Sequence, residues 1–122
     1  MKLILIVEDD DSLKKALQIK LAELPDSEII LAKNGVEGLK QALSKHPDLI
    51  LLDIIMPHLD GVGMLEKLRQ DEWGRQAKVL VLTNVSDNEQ IARCTELGAE
   101  EYLLKADRQI EDIAQEIASK IQ

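Results

Sequence analysis

Five apolar runs alternate with five amphipathic segments along the chain, and that alternation restricts the fold more than any other feature. The runs are LILIV (Leu3 to Val7), EIILA (Glu28 to Ala32), DLILLD (Asp48 to Asp53), KVLVLT (Lys78 to Thr83) and EYLLK (Glu101 to Lys105). The first, third and fourth are continuous rather than alternating, which suits parallel strands covered on both faces. The segments between them carry apolar stripes at helical spacing. SLKKALQIKLAEL aligns Leu13, Ala16, Leu17, Leu21 and Leu24, with Lys20 as the polar exception, and QIEDIAQEIASKI aligns Ile110, Ile113, Ala114, Ile117 and Ile121. VEGLKQALSKH stops before Pro47, GVGMLEKLRQDE groups Met64, Leu65 and Leu68, and NEQIARCTELG ends on Gly98, a left-handed cap. Asn34, Asp60 and Asp107 suit helix starts, and Ser86 with Glu89 matches a capping box. Strands alternating with helices predict an α/β fold, a doubly wound parallel sheet with helices on both faces. The 122 residues fit one domain, residues 1–122, with no linker or repeat.

Composition closes off several functions. The net charge of −8 disfavours a phosphate-backbone binder, so direct nucleic-acid contact is not expected. With one Trp, one Tyr and no Phe, the core must be aliphatic. Cys94 is the single cysteine, which excludes an intrachain disulfide and fits a reducing compartment; it reads as a helix core or boundary residue. No signal-like start and no run of about 18 apolar residues is present, so the expectation is a cytoplasmic protein with no membrane contact.

Ligands of such sheets bind at the carboxyl ends of the strands, where strand order reverses. Those ends carry Glu8 and Asp9 on the first run, Asp53 on the third, Thr83 on the fourth and Lys105 on the fifth. Three carboxylates, a hydroxyl and an ammonium on one edge are stable together if a hard divalent cation lies among the oxygens, and Mg2+ suits that ligation. A carboxylate beside such a cation stays ionised and serves as a nucleophile. His46 and His58 lie away from the strand ends and read as solvated; Trp73 reads as an exposed or partly packed loop residue.

Four stretches, VEDD, LLDIIMPHLDG, VLT and YLLK, occur in order and at fitting separations. With them the whole chain resembles the receiver domain of two-component response regulators. The resemblance implies a flavodoxin-like five-stranded sheet in the order 2-1-3-4-5 with five helices. It implies that Asp53 accepts a phosphoryl group from a histidine kinase or phosphotransfer protein, with Mg2+ held by Glu8, Asp9, Asp53 and the backbone carbonyl of Ile55. Thr83 and Lys105 would take phosphoryl oxygens. Thr83 and Tyr102 would switch a face made by the fourth helix, fifth strand and fifth helix, toward a partner or a second copy. Pro57, Asp60 and Gly61 match the turn into the third helix. Asp10 and Asp11 read instead as helix-start residues favoured by the macrodipole.

Two departures from the family pattern stand out. The family usually has a cis proline after the fifth-strand lysine, and this chain has Ala106. A cis bond there costs about 2.5–4 kcal/mol, against about 0.5–1 before proline, so a trans bond with a rerouted loop is the expectation. Second, Ile55 and Val85 are apolar where polar residues of the family orient water, which implies slow self-dephosphorylation relative to an Ile55→Asn, Val85→Glu variant. A phosphatase or mutase would need a second acid at position 55, so no enzyme is expected. The alternative is a receiver-like interaction module that works without phosphorylation.

Overall fold

The computed structural model describes residues 1–54, 59–83, 88–105 and 109–121. In it the five apolar runs become β1 (Lys2–Val7), β2 (Ser27–Ala32), β3 (Leu49–Leu52), β4 (Val79–Thr83) and β5 (Glu101–Leu104), in one sheet ordered β2-β1-β3-β4-β5. All four pairings are parallel. The helices are α1 (Asp11–Leu21), α2 (Gly35–Lys45), α3 (Gly61–Gln70), α4 (Asn88–Glu96) and α5 (Ile110–Ile121). The expected architecture and strand order are therefore present. Strand order reverses between β1 and β3, which places a crevice at the carboxyl ends of those two strands.

The sheet divides an aliphatic core in two. Leu5, Val7, Ile50, Leu52, Val79 and Val81 pack on one face with Ala42 of α2, Met64, Leu65 and Leu68 of α3 and Cys94 of α4. Ile4, Ile6, Leu49, Leu51, Leu80 and Leu82 pack on the other with Leu17 and Leu21 of α1 and Ile113, Ile117 and Ile121 of α5. Each fully buried Leu or Ile contributes about 1.5–3 kcal/mol over an exposed one.

Helix ends follow local chemistry. The Asp10 carboxylate accepts from the Ser12 and Leu13 amides, Asn34 from Glu37, and Asp60 from Gly63. Gly98 takes the left-handed conformation at φ 79°, with the Ala99 amide donating back to the Cys94 carbonyl. Two helices end short of the segments that the sequence assigns to them. Beyond Leu21 the chain tightens, Glu23 and Leu24 donating to carbonyls three residues back ahead of Pro25. Beyond Gln70, Asp71 turns extended and its carboxylate accepts from the Gly74 amide, opening a short 3₁₀ turn at Gly74–Gln76. Trp73 is half-buried at the start of that turn. His46 is exposed at the end of α2, yet its ring stacks on the Trp73 indole at 4.3 Å and 7°, so it is not simply solvated. Ser86 and Asp107 lie outside the described residues.

Candidate functional site

Backbone register brings the acidic residues together. Val7 pairs with Leu52 across β1 and β3, so the next residues, Glu8 and Asp53, leave adjacent strands side by side. The Asp53 amide donates to the Val7 carbonyl at 3.0 Å and the Glu8 amide to Ala32 at 3.0 Å, which extends the ladder through both acids. Glu8 is 3% exposed and Asp53 5%, while Asp9 stays in solvent. A carboxylate oxygen from each of Glu8, Asp9 and Asp53 lies within 4.8 Å of the other two. β5 follows β4 in register, Thr83 opposite Leu104, so Lys105 reaches the same edge. Its Nζ donates to Glu8 Oε1 and, at 3.3 Å, to Asp53 Oδ2.

The electrostatics of this cluster are unbalanced. Burial pushes the Glu8 carboxyl up to about 8; the adjacent Asp53 carboxyl adds to the rise, and Lys105 opposes it without cancelling it. Burial works to lower the Lys105 ammonium. Its bond to Glu8 and the charges of Asp53 and Glu8 outweigh that, so it sits above its ordinary value. One atom is left over: Glu8 Oε2 is buried and has no hydrogen-bond partner among the described residues. Such an orphan costs about 1–3 kcal/mol or more unless something occupies its lone pairs. With hard oxygen donors only, and an unused buried acceptor among them, the arrangement fits a hard divalent cation held by Glu8, Asp9 and Asp53.

The two remaining sequence-selected residues sit on the opposite pleat parity. Thr83 closes β4 in line with Val79 and Val81 and is fully buried. Tyr102 is half-buried and packs on the same core face. Asp10 caps α1 and Asp11 occupies its first turn, as expected of helix-start residues. Ile55, Pro57, His58, Val85 and the Lys105–Ala106 peptide all involve positions outside the described residues. Sequence reasoning did not single out Gly35 and Leu59, whose backbones meet beside the site: the Gly35 amide donates to the Leu59 carbonyl at 3.0 Å. A glycine opening a helix was the one available signal.

Comparison with known proteins agrees with this geometry. The family model for the response regulator receiver domain matches residues 4–118. Over 123 residues the chain is 37% identical to protein-glutamate methylesterase/protein-glutamine glutaminase 1 of Methanospirillum hungatei JF-1, covering 97% of this chain and 35% of that protein. It is 38% identical over 104 residues to the alkaline phosphatase synthesis transcriptional regulatory protein PhoP of Bacillus subtilis strain 168, covering 85% and 42%. The chain thus spans between about a third and two fifths of these relatives' length. Among solved structures, the Mn2+-bound form of response regulator Rcp1 superposes with a TM-score of 0.83 at 27% identity, covering 98% of this chain and 91% of that one. With register, acidic crevice and family match in agreement, the chain belongs to the response regulator receiver domains.

Proposed function

We propose that residues 1–122 act as one receiver unit in which Asp53 takes a phosphoryl group from a phosphohistidine on a histidine kinase or phosphotransfer protein. An Asp53 carboxylate oxygen attacks phosphorus, the bond from phosphorus to the imidazole nitrogen breaks, and the imidazole leaves with that electron pair. Mg2+, held by Glu8, Asp9, Asp53 and the Ile55 carbonyl, would offset charge on the phosphoryl oxygens. The Mn2+ in the Rcp1 structure supports a divalent ion for this role. Lys105 exchanges its bond to Asp53 for a phosphoryl oxygen, and the Thr83 hydroxyl takes another. Movement of Thr83 leaves room that Tyr102, on the same core face, follows inward. That biases the α4–β5–α5 surface between two states and changes its fit to a partner or a second copy.

The observation that carries this reading is the convergence of Glu8, Asp9 and Asp53 with a buried, unused Glu8 oxygen and Lys105 across two of the three acids. Receiver domains are regulators and generally not enzymes, and autophosphorylation with slow hydrolysis is the only turnover proposed here. The acidic balance of −8 disfavours nucleic-acid contact by these residues. No helix among the described residues is long and apolar enough to cross a membrane, and a cytoplasmic setting agrees with the single cysteine. Incubation with Mg2+ and acetyl phosphate, read by intact mass, tests the proposal. The expected result is a gain of one phosphoryl group, lost in Asp53→Asn and on chelation. An unchanged mass, with partner binding retained, points to the phosphorylation-independent module.

A further inference from the structure

We infer that Gly35, at the first position of α2, is a positioning residue that sets where the Asp53 carboxylate stands relative to Glu8. The proposal rests on the role proposed above for Asp53, and it begins with a backbone contact. The Gly35 amide is one of the four that open a helix without a helical acceptor, and the Leu59 carbonyl serves it at 3.0 Å. The two backbones are so close that a Cβ on Gly35 would lie 2.0 Å from the Leu59 oxygen and 2.8 Å from its carbon. Those are main-chain atoms, with no flexible end to swing aside. Alanine is the better helix former, so the glycine here answers to the approach of Leu59 rather than to the helix.

From Leu59 the contact passes to the acid. Two residues on, the Gly61 amide donates to the Ile54 carbonyl at 2.8 Å. A Cβ on Gly61 would lie 2.3 Å from the Asp53 carbonyl oxygen and 2.6 Å from the Ile54 Cα. The start of α2 therefore bears on Leu59, and the start of α3 bears on Asp53 itself. One turn further along α2, Gly38 lets the same helix press on Val7, the residue before Glu8, where a Cβ would stand 2.8 Å from both methyls. Helix α2 thus touches Val7, beside Glu8, and Leu59, two residues before the Gly61 that bears on Asp53. Moving its first turn moves one acid against the other.

The test compares Gly35→Ala with Gly74→Ala. The second places a Cβ equally close, 2.0 Å, to a backbone oxygen, that of Leu68, on the 3₁₀ turn at the far end of the sheet. Both variants are expected to melt earlier. Only Gly35→Ala is expected to bind Mg2+ about tenfold more weakly and to take phosphate from acetyl phosphate ten- to about a hundredfold more slowly, the range for misplacement by about 1 Å. Amide resonances of Asp53 and Ile54 should shift in Gly35→Ala and hold still in Gly74→Ala. Asn34→Ala, which removes the α2 cap without adding bulk, should weaken Mg2+ binding about threefold. Folded Gly35→Ala with Mg2+ affinity, phosphorylation rate and Asp53 resonance within experimental error of the parent overturns the inference. Should that variant not fold, parental affinity in Asn34→Ala overturns it. If the parent chain itself takes no phosphoryl group, the reading of Asp53 fails, while the Mg2+ and resonance measurements still decide the role of Gly35.

Discussion

Glu8 and Asp53 leave neighbouring strands with their carboxyl groups in one desolvated place, and Lys105 is the charge that lets them share it. Glu8 titrates near 4.5 in an unfolded chain and about 8 in the folded one. The folded state therefore holds the extra proton between those values, and the metal-free protein is expected to lose stability as pH rises through that interval. Mg2+ reverses the trend, because it binds the ionised carboxylates, so the gain in Tm on adding Mg2+ should grow from pH 5 to pH 8. Lys105→Ala strands two buried acids and should cost about 3 kcal/mol at pH 8, and less at pH 5 where Glu8 is neutral. Urea unfolding at the two pH values measures both effects. At this scale the sequence was informative about identity and silent about pairing. VEDD and LLDIIMP mark the acids, and YLLK marks the lysine. Nothing in those letters says that Lys105 binds Glu8 as well as Asp53, because that depends on the register of three strands.

Among the elements, α3 is tied to the rest of the fold by one side chain that no pattern announced. Arg69 donates from Nε to the Leu97 carbonyl at 2.6 Å, from Nη1 to Gly74 and Ala77 at 2.6 and 2.8 Å, and from Nη2 to Gly98 at 3.1 Å. It thus satisfies carbonyls at the ends of both α4 and the 3₁₀ turn, where a cation also suits the dipoles. Burial holds its guanidinium below the usual value, and no carboxylate pairs with it among the described residues. Lysine has no planar fork to reach four acceptors. Arg69→Lys is expected to cost about 2–3 kcal/mol and to speed hydrogen exchange at Leu97, Gly98 and Ala99, while Mg2+ binding is unchanged. The sequence analysis did not single out Arg69, which borders the stripe of Met64, Leu65 and Leu68 four residues after Leu65. The helix starts at Asn34 and Asp60 and the stop at Gly98 were legible, since each is written in a single residue type. The stop at Gln70 was not, because it comes from Asp71 folding back onto Gly74.

For the whole molecule, the alternation of apolar runs was enough for the layers and the parallel sheet. It did not order the strands; that came from the resemblance, and the observed sheet has that order. The polarity of the molecule follows from the same topology. Chemistry gathers where strands end, and the opposite edge, where they begin, is left to packing. Trp73 stands at that opposite edge with His46 laid flat against it. It is the chain's sole indole. Its fluorescence should therefore change steeply across a urea or heat transition, and shift in His46→Ala, yet stay level through a Mg2+ titration or treatment with acetyl phosphate. The protein carries a built-in optical gauge of its own melting, and that gauge is blind to signalling at the far pole.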